Sequence, residues 1–211
     1  SRCNRTIKSE QFVNVISLKM DIKEFFEQSA GKWFSQRTSQ HLEFRQAENG
    51  KSTIVMEMLA ADDPEVIKLC QQYHIDPKLA LCGTKITWDG TIVWDKTQQQ
   101  QRGANVLVLI PDSDKPHQGK LLRSMGYGKK TAVVSRYALG RDDILTLIAE
   151  DETMYSEDRI WFASPNLRMR TNILKNSDGF NQASLCSEIR LGAASPPQKV
   201  EETPSAIRFY S

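Results

Sequence analysis

Residues 31–58 read GKWFSQRTSQHLEFRQAENGKSTIVMEM, and this stretch decides the fold class. Polar and bulky side chains alternate along it, the alternation breaks at Asn49-Gly50, and it then resumes. A period of two is typical of a β-strand, and Asn-Gly is among the strongest short signals for a hairpin turn. The stretch therefore predicts two antiparallel strands that turn at Asn49-Gly50.

Strand-like patterns continue through the rest of the chain. Asp89-Gly90 and Asp178-Gly179 predict two more hairpin turns. The further β-rich runs are KITWDGTIVWD, GANVLVLIPD, GKLLRSMGYG, KTAVVSRYAL, DDILTLIAEDE, EDRIWFAS, NLRMRTNILK and FNQASLCSEIRL. They bring the expected number of strands to about ten, which predicts a mainly β fold, either a closed antiparallel barrel or a sandwich. A barrel of this size can hold one ligand.

Two short helices are predicted ahead of most of these strands. In DIKEFFEQSAG, Asp21 is the expected N-cap and Glu24 completes a capping box three residues later. In DDPEVIKLCQQYH, Asp63 precedes Pro64, and proline suits the first position of a helix. Both segments have apolar residues at roughly helical spacing, so one face of each is expected to pack on the strands.

The length of 211 residues suits one domain with loose ends. We expect the barrel to span residues 20–191. Residues 1–19 are expected to be an extension outside the core, with Met20 as the natural start. Residues 192–211 are rich in Pro, Ser and Glu, which is typical of a flexible tail.

Composition excludes several classes of partner. The net charge is only +2 and the charges are interspersed, which argues against nucleic acid as the main partner. No apolar run approaches the length of a membrane span, and no signal peptide is predicted. The four cysteines, Cys3, Cys70, Cys82 and Cys186, lack any metal-binding spacing and are expected to be reduced, mostly buried thiols. P-loop, zinc and hydrolase motifs are also absent from the sequence.

Counting by two from a buried Trp33 on the first strand, and back from Arg190 on the last, places polar side chains inside a barrel. The expected inward residues are Ser35, Arg37, Ser39, His41 and Glu43 on the first strand and Gln182, Ser184, Cys186 and Glu188 on the last. A lumen with these charges requires partners, because unpaired buried charges are costly. Two interpretations remain open: an internal Arg37–Glu188 pair with bound water, or an anionic ligand.

Other candidate residues follow the same pattern. In NLRMRTN, Arg168 and Arg170 share one face, which is either a ligand-binding face or a solvated exterior. The aromatic residues Trp88, Trp94, Trp161 and Phe162 suit a core, although flat ligands are often held between such rings. Gly31-x-Trp33 after a short helix resembles the lipocalin signature, in which Trp33 closes one end of the barrel and Arg190 packs across it as a structural residue.

Longer strings carry a more specific resemblance. FFEQSAGKWFSQRTSQHL, LLRSMGYGKKTAVVSRY, RIWFASPNLRMRTNILK and ASLCSEIRLG together resemble the CpcS/CpeS family of phycobiliprotein chromophore lyases, from Met20 to about Gly192. The resemblance implies a ten-stranded, up-and-down, lipocalin-like antiparallel barrel. It implies binding of an open-chain tetrapyrrole (a bilin, with phycocyanobilin expected) and its thioether attachment to a cysteine of a phycocyanin or allophycocyanin subunit.

The resemblance also implies the setting of the reaction. The bilin is the substrate, and neither a resident cofactor nor a metal is expected. The partner is an apo-phycobiliprotein subunit, and the protein acts alone, as a homodimer, or with a related lyase subunit, without membrane insertion or nucleic acid. It is expected in the cytosol of cyanobacteria or the equivalent plastid stroma. A non-catalytic bilin carrier with the same barrel is the alternative.

Site roles follow from the resemblance. Arg37 and Arg168 are expected to bind the bilin propionates, Arg170 is a further bilin-binding residue, and Trp94 and Trp161 are expected to lie against the bilin rings. Glu188, or else Glu150, is expected to accept from the pyrrole N–H groups or to protonate the bilin. Many family members have a histidine where this chain has Gln40, so His41 is the expected histidine for acid–base chemistry. Transient trapping of the bilin by Cys82 or Cys186 is a minor alternative, because buried thiols are usually inert.

Overall fold

The computed structural model describes residues 20–43, 46–94, 97–124, 134–179 and 181–192. The expected extension at residues 1–19 and nearly all of the expected tail at residues 192–211 lie outside these ranges. The described helices are α1 (Ile22–Ser29), α2 (Pro64–Gln72) and a 3-10 helix (Pro77–Leu79). The described strands are β1 (Gly31–His41), β2 (Gln46–Leu59), β3 (Cys82–Trp94), β4 (Thr97–Pro111), β5 (Gln118–Arg123), β6 (Ser135–Leu139), β7 (Leu145–Glu150), β8 (Met154–Ser164), β9 (Leu167–Asn176) and β10 (Asn181–Arg190).

These strands form one closed antiparallel barrel. Each strand pairs with the next in chain order, and β1 pairs with β10 to close the sheet. The expected mainly β, about ten-stranded up-and-down barrel with two short helices is confirmed. Closure leaves no open edge among the described strands, so the positions that alternate inward along each of them share one lumen.

The helix ends follow the predicted capping chemistry. The backbone N–H of Glu24 donates to Asp21 Oδ1 at 2.8 Å, and the backbone N–H of Asp21 donates to Glu24 Oε2 at 2.8 Å. Asp63 caps α2 by accepting from the backbone N–H of Glu65 at 2.8 Å, with Pro64 in the first helical position. Both predicted N-termini are confirmed.

Helix α1 covers one end of the barrel. Phe25 and Phe26 are buried in the largest apolar cluster, which includes residues of β4 to β7. The ring of Phe25 lies 5.1 Å from that of Phe162. The indole N–H of Trp33 donates to the carbonyl of Ser29 at 2.8 Å, so the first strand is tied directly to the helix that precedes it.

Arg190 joins the last strand to the same end. Its guanidinium carbon lies 4.2 Å from the ring centroid of Trp33, which is itself fully buried. Its Nη1 donates to the carbonyl of Ala30 at 2.7 Å, and its Nη2 donates to that of Gln28. These contacts are the ones that a residue sealing the barrel base would make.

Two of the three predicted turns are wrong. Asn49-Gly50 lies inside β2, where Gly50 pairs with Arg37, and Asp89-Gly90 lies inside β3. The strands are longer than the turn signals suggested, because a glycine within a sheet also permits close packing. A Cβ at Gly90 would lie 2.7 Å from the Cα of Ser52, so a side chain there would meet β2. Asp178-Gly179 does lie between β9 and β10, with Gly179 at φ +91°.

In the described part of the chain, none of the helices combines the length and the apolar character needed to cross a membrane.

Candidate functional site

The barrel encloses a cavity of about 310 Å³ that reaches from α1 into the strand walls. Its apolar walls come from Phe25, Phe26, Ile54, Met56, Ile86, Trp88, Ile92, Leu107, Leu145, Leu147 and Ile160. Its polar and charged walls include Ser35, Arg37, Ser52, Asn105, Arg123, Asp158, Arg168, Arg170 and Cys186. A cavity with mostly apolar walls and a few convergent polar groups is the usual form of a small-molecule site.

The parity count along the two closing strands is confirmed. On β1, Trp33, Ser35, Ser39 and His41 are buried, and Arg37 lines the cavity. On β10, Ser184, Cys186 and Glu188 are buried. Glu43 is exposed, because β1 ends at His41 and the alternation does not extend into the turn.

Pairing across the strands brings the predicted cations together. Arg37 lies opposite Cys186 in the β1–β10 register, and Cys186 lies opposite Arg170 in the β10–β9 register. One step further toward α1, Glu188 lies opposite Arg168. Arg37 of β1 and the two arginines of β9, which are distant in sequence from it, therefore contribute to one wall of the cavity.

The buried ion pair in this wall joins Arg168 to Glu188. Arg168 Nε donates to Glu188 Oε2 at 2.5 Å, and Arg168 Nη1 lies 3.0 Å from the sulfur of Met56. Burial lowers the pKa of Arg168, and the neighbouring carboxylate of Glu188 opposes that effect. The proposed Arg37–Glu188 pair is therefore wrong. Adjacent strands bring Arg168 directly opposite Glu188, whereas Arg37 lies one layer away.

Arg37 instead pairs with a residue of the neighbouring strand. Its Nη2 donates to Glu48 Oε1 at 2.8 Å. The second oxygen of Glu48 lies 3.9 Å from Nε2 of His41, which is only 6% exposed. The Nε of Arg37 is buried and has no hydrogen-bond partner within the described residues. His41, Glu48 and Arg37 thus form a cluster at the part of the lumen away from α1.

Arg170 keeps a donor available. Its Nη2 lies 3.7 Å from the thiol sulfur of Cys186, and its buried Nε has no hydrogen-bond partner among the residues described. Burial disfavours the charged guanidinium, but Glu188, Cys186 and Asp158 outweigh burial and raise the pKa of Arg170. The side chain therefore presents a permanent positive charge to the cavity.

Glu150, Trp161, His41 and Glu188 are not among the residues that line the cavity, although His41 and Glu188 are buried beside lining residues of β1 and β9. Glu150 is exposed at the end of β7. Trp161 is half-buried and does not line the cavity, because its neighbour Ile160 occupies the inward position of β8. The side chain of Trp94 lies outside the described residues.

Other residues of the cavity and its surroundings were not assigned to the site from the sequence. Asp158 faces the cavity from β8, and alternation with the buried Ser156 could have identified it. Trp88 was assigned mainly to the core, yet its ring lines the cavity. A Cβ at Gly103 would lie 2.6 Å from Cε2 of Trp88, so the absence of a side chain at residue 103 makes room for the indole. Glu48 had no signal of its own, since its partner depends on the strand register.

The remaining candidate groups are the cysteine thiols and the side chains that could bind a metal ion. Cys70, Cys82 and Cys186 are free and buried, as predicted, while Cys3 lies outside the described residues. Burial raises the pKa of Cys82 to about 11. Within the described ranges, no group of three or more His, Cys, Asp or Glu side chains is arranged to hold a metal ion.

Known proteins resemble this chain over nearly its whole described length. A family model described as CpeS-like protein matches residues 21–191. "Chromophore lyase CpcS/CpeS" of Thermosynechococcus vestitus is 58% identical over 177 residues, which cover 84% of this chain and 96% of the relative. "Phycocyanobilin lyase subunit CpcS" of Picosynechococcus is 47% identical, over 81% of this chain and 86% of the relative.

A solved structure adds the same likeness in three dimensions. The S-type phycobiliprotein lyase CPES from Guillardia theta superposes with a TM-score of 0.72 at 35% sequence identity. The match covers 82% of this chain and 94% of the solved chain. The likeness therefore extends to the barrel as a whole.

Proposed function

This chain belongs to the CpeS-like family of chromophore lyases, and on that premise we propose that it binds phycocyanobilin and promotes its attachment to a cysteine of a phycobiliprotein subunit. The proposed acceptor is a phycocyanin or allophycocyanin subunit, and the bilin is the substrate. The observation that carries the proposal is a cavity wall with three arginines inside a barrel whose other walls are largely apolar. A barrel for a purely apolar ligand has no use for these charges.

The cavity has groups that match the chemistry of a bilin. An open-chain tetrapyrrole carries two propionates, a row of pyrrole nitrogens and a flat conjugated system. Arg37 and Arg170 each keep a buried Nε donor without a partner in the described structure, which suits carboxylate binding. Arg168 is already paired with Glu188, so its proposed role is to hold Glu188 and add positive charge near a propionate.

Acceptors for the pyrrole N–H groups are also present. Glu188 uses Oε2 for Arg168, and its buried Oε1 has no hydrogen-bond partner in the described part of the chain. Glu188 is buried beside the lining residue Arg168, whereas Asp158 faces the cavity directly from β8. Trp88 provides an aromatic surface in the lining, so it takes the place that the sequence suggested for Trp161.

The proposed reaction is an addition. The sulfur of the acceptor cysteine bonds to the ethylidene carbon of the bilin, the carbon–carbon double bond becomes single, and the thiol proton is balanced by a proton on the adjacent ring carbon. A protonated bilin is the better electrophile, and Glu188 and His41 are the proposed acid–base groups. The protein would contribute mainly by holding the bilin in one conformation for attack. Glu150 has no part in this proposal, because it is exposed.

Co-expression with candidate acceptors tests the proposal. The protein is produced together with a phycocyanobilin source and one apo-phycocyanin or apo-allophycocyanin subunit at a time. A lyase leaves acid-stable, covalent colour on the acceptor, and a non-catalytic carrier leaves none. Covalent attachment at the same low level with and without this protein, across all acceptors, would overturn the proposed activity.

A further inference from the structure

Arg37, one of the cations that line the cavity, is already paired with a carboxylate of the protein itself. Glu48 extends from β2 and accepts from Arg37 Nη2 at 2.8 Å, with its side chain only 15% exposed. Arg37 is 33% exposed and lines the cavity. An ion pair between a cavity cation and an inward carboxylate places a negative charge where an anionic ligand would bind.

The Arg37–Glu48 ion pair uses only one nitrogen of the Arg37 guanidinium group. Nε and Nη2 lie on the same edge of a guanidinium group, and together they form the fork that takes both oxygens of a carboxylate. In Arg37, Glu48 takes the Nη2 position, while Nε is buried without a partner among the described residues. A ligand carboxylate can therefore gain the whole fork only by displacing Glu48.

The displaced carboxylate has another polar neighbour. Glu48 Oε2 lies 3.9 Å from Nε2 of His41, which is buried on the same face of β1. Because the two oxygens of Glu48 already lie toward Arg37 and His41, rotation of the side chain can exchange one neighbour for the other. The three side chains thus have two arrangements available, with Glu48 on Arg37 or on His41.

We propose that Glu48 is a positioning residue that competes with a bilin propionate for Arg37. It occupies the arginine in the empty protein, moves toward His41 when the bilin enters, and returns to Arg37 when the bilin leaves. The competition weakens binding and speeds release, which a lyase needs because it must hand its substrate to an acceptor. This inference rests on the proposed function, since it assigns a role in binding the same bilin.

The test replaces the carboxylate with an amide. Glu48→Gln keeps the size of the side chain and removes its charge, and Glu57→Gln is the matched control, since Glu57 is exposed on the same strand. We expect Glu48→Gln to bind phycocyanobilin about tenfold more tightly and to release it more slowly, as removal of one charged competitor would give. Glu57→Gln is expected to match the wild type.

The Arg37→Ala background separates competition from a general structural effect. If Glu48 acts through Arg37, then Glu48→Gln changes the affinity in the wild type and leaves it unchanged in Arg37→Ala. The dissociation rate is read by stopped-flow transfer of bound bilin to an excess of a second binder. Circular dichroism checks the fold, and Glu48→Ala replaces Glu48→Gln should the amide variant fail to fold.

The outcomes separate this inference from the proposed function. Unchanged or weaker bilin binding in Glu48→Gln, or the same gain in affinity in both backgrounds, would overturn the role of Glu48 while leaving the lyase activity intact. A wild-type protein that binds bilin but attaches none to any acceptor would contradict the lyase proposal instead. The role of Glu48 would then still be decided by the effect of Glu48→Gln on bilin affinity in the wild-type and Arg37→Ala backgrounds.

Discussion

Arg168 donates from Nε to the carboxylate of Glu188 at 2.5 Å, and both side chains are nearly excluded from solvent. The guanidinium carbon also lies 5.0 Å from the ring centroid of Trp33. This pair connects β9 to β10 at the level of the cavity, next to the residues that seal the base of the barrel. Its members depend on each other, because either charge alone would be buried without compensation.

Removal of the Glu188 carboxylate is expected to destabilise the folded protein strongly. Glu188→Ala leaves Arg168 buried without its anion, which typically costs about 3–5 kcal/mol of unfolding free energy. Glu188→Gln, which retains an acceptor oxygen, is expected to cost less. Urea denaturation measures the difference, with the exposed Glu152→Ala as a control that should remain within about 0.5 kcal/mol of wild type. A loss below about 1 kcal/mol in Glu188→Ala would contradict the interdependence of the pair.

Trp33 is expected to contribute to the stability of the folded barrel. The side chain is fully buried, its indole N–H is hydrogen-bonded to Ser29, and Arg190 packs on its ring. Trp33→Ala should lower the unfolding free energy by about 3–5 kcal/mol, as expected for deletion of a large core side chain. Trp33→Phe should lose less, because it keeps a ring in the same space. Equal unfolding midpoints for all three proteins would show that Trp33 does not close the barrel.

Gly90 and Gly50 offer a matched pair within neighbouring strands. A Cβ at Gly90 would lie 2.7 Å from the Cα of Ser52, whereas a Cβ at Gly50 would have its nearest neighbours at 3.7 Å, an ordinary contact. We expect Gly90→Ala to lower the unfolding free energy by about 1–3 kcal/mol, the usual range for overpacking. Gly50→Ala should be close to neutral. Thermal denaturation of both variants decides the point, and equal melting temperatures would contradict it.

Alkaline pH should destabilise the protein partly through Cys82. Burial raises the pKa of its thiol to about 11 from 9.0, so the unfolded chain loses this proton before the folded chain does. The stability from this thiol is therefore present below pH 9 and is lost as the pH rises toward 11, by at most about 3 kcal/mol for a two-unit difference. Unfolding free energies of wild type and Cys82→Ala should converge over that range. Parallel curves would contradict the raised pKa.

The inward residues of the closing strands could be predicted because one constraint governs them. Trp33 must be buried, and strand geometry then assigns Ser35, Arg37, Ser39 and His41 to the same side. The count from Arg190 works for the same reason on β10. Alternation is a local property, so it can be read from the sequence without knowledge of neighbouring strands.

The ion pairs could not be predicted because they depend on register. Placing the first turn at Asn49-Gly50 put Glu48 close to the end of a strand, whereas the β1–β2 register pairs Glu48 with Ser39 and brings it to Arg37. The partner of Glu188 depends in the same way on which layer of β9 lies opposite. A single misplaced turn therefore changes which residues of the two strands lie opposite each other. The alternation of inward and outward positions along each strand is not affected.

The roles of Trp161 and Glu150 show the limit of reading residue type without position. Tryptophan suits a flat ligand and a carboxylate suits a pyrrole nitrogen, yet both residues lie away from the cavity. Inward positions on β8 are filled by Asp158 and Ile160 instead. Residues of the same two types, Trp88 and Asp158, line the cavity in their place.

Phycocyanobilin and its dimethyl ester test the central claim most directly, because esterification removes the two carboxylates and keeps the conjugated system. Equilibrium titration by visible absorbance gives the affinity of each for wild type and for Arg37→Ala, with the exposed Arg141→Ala as control. We predict that wild type and Arg141→Ala bind the free acid more tightly than the ester by about 1–3 kcal/mol, and that this preference shrinks in Arg37→Ala. Equal affinity of the wild-type protein for acid and ester would contradict the claim that the arginines of the barrel receive the propionates.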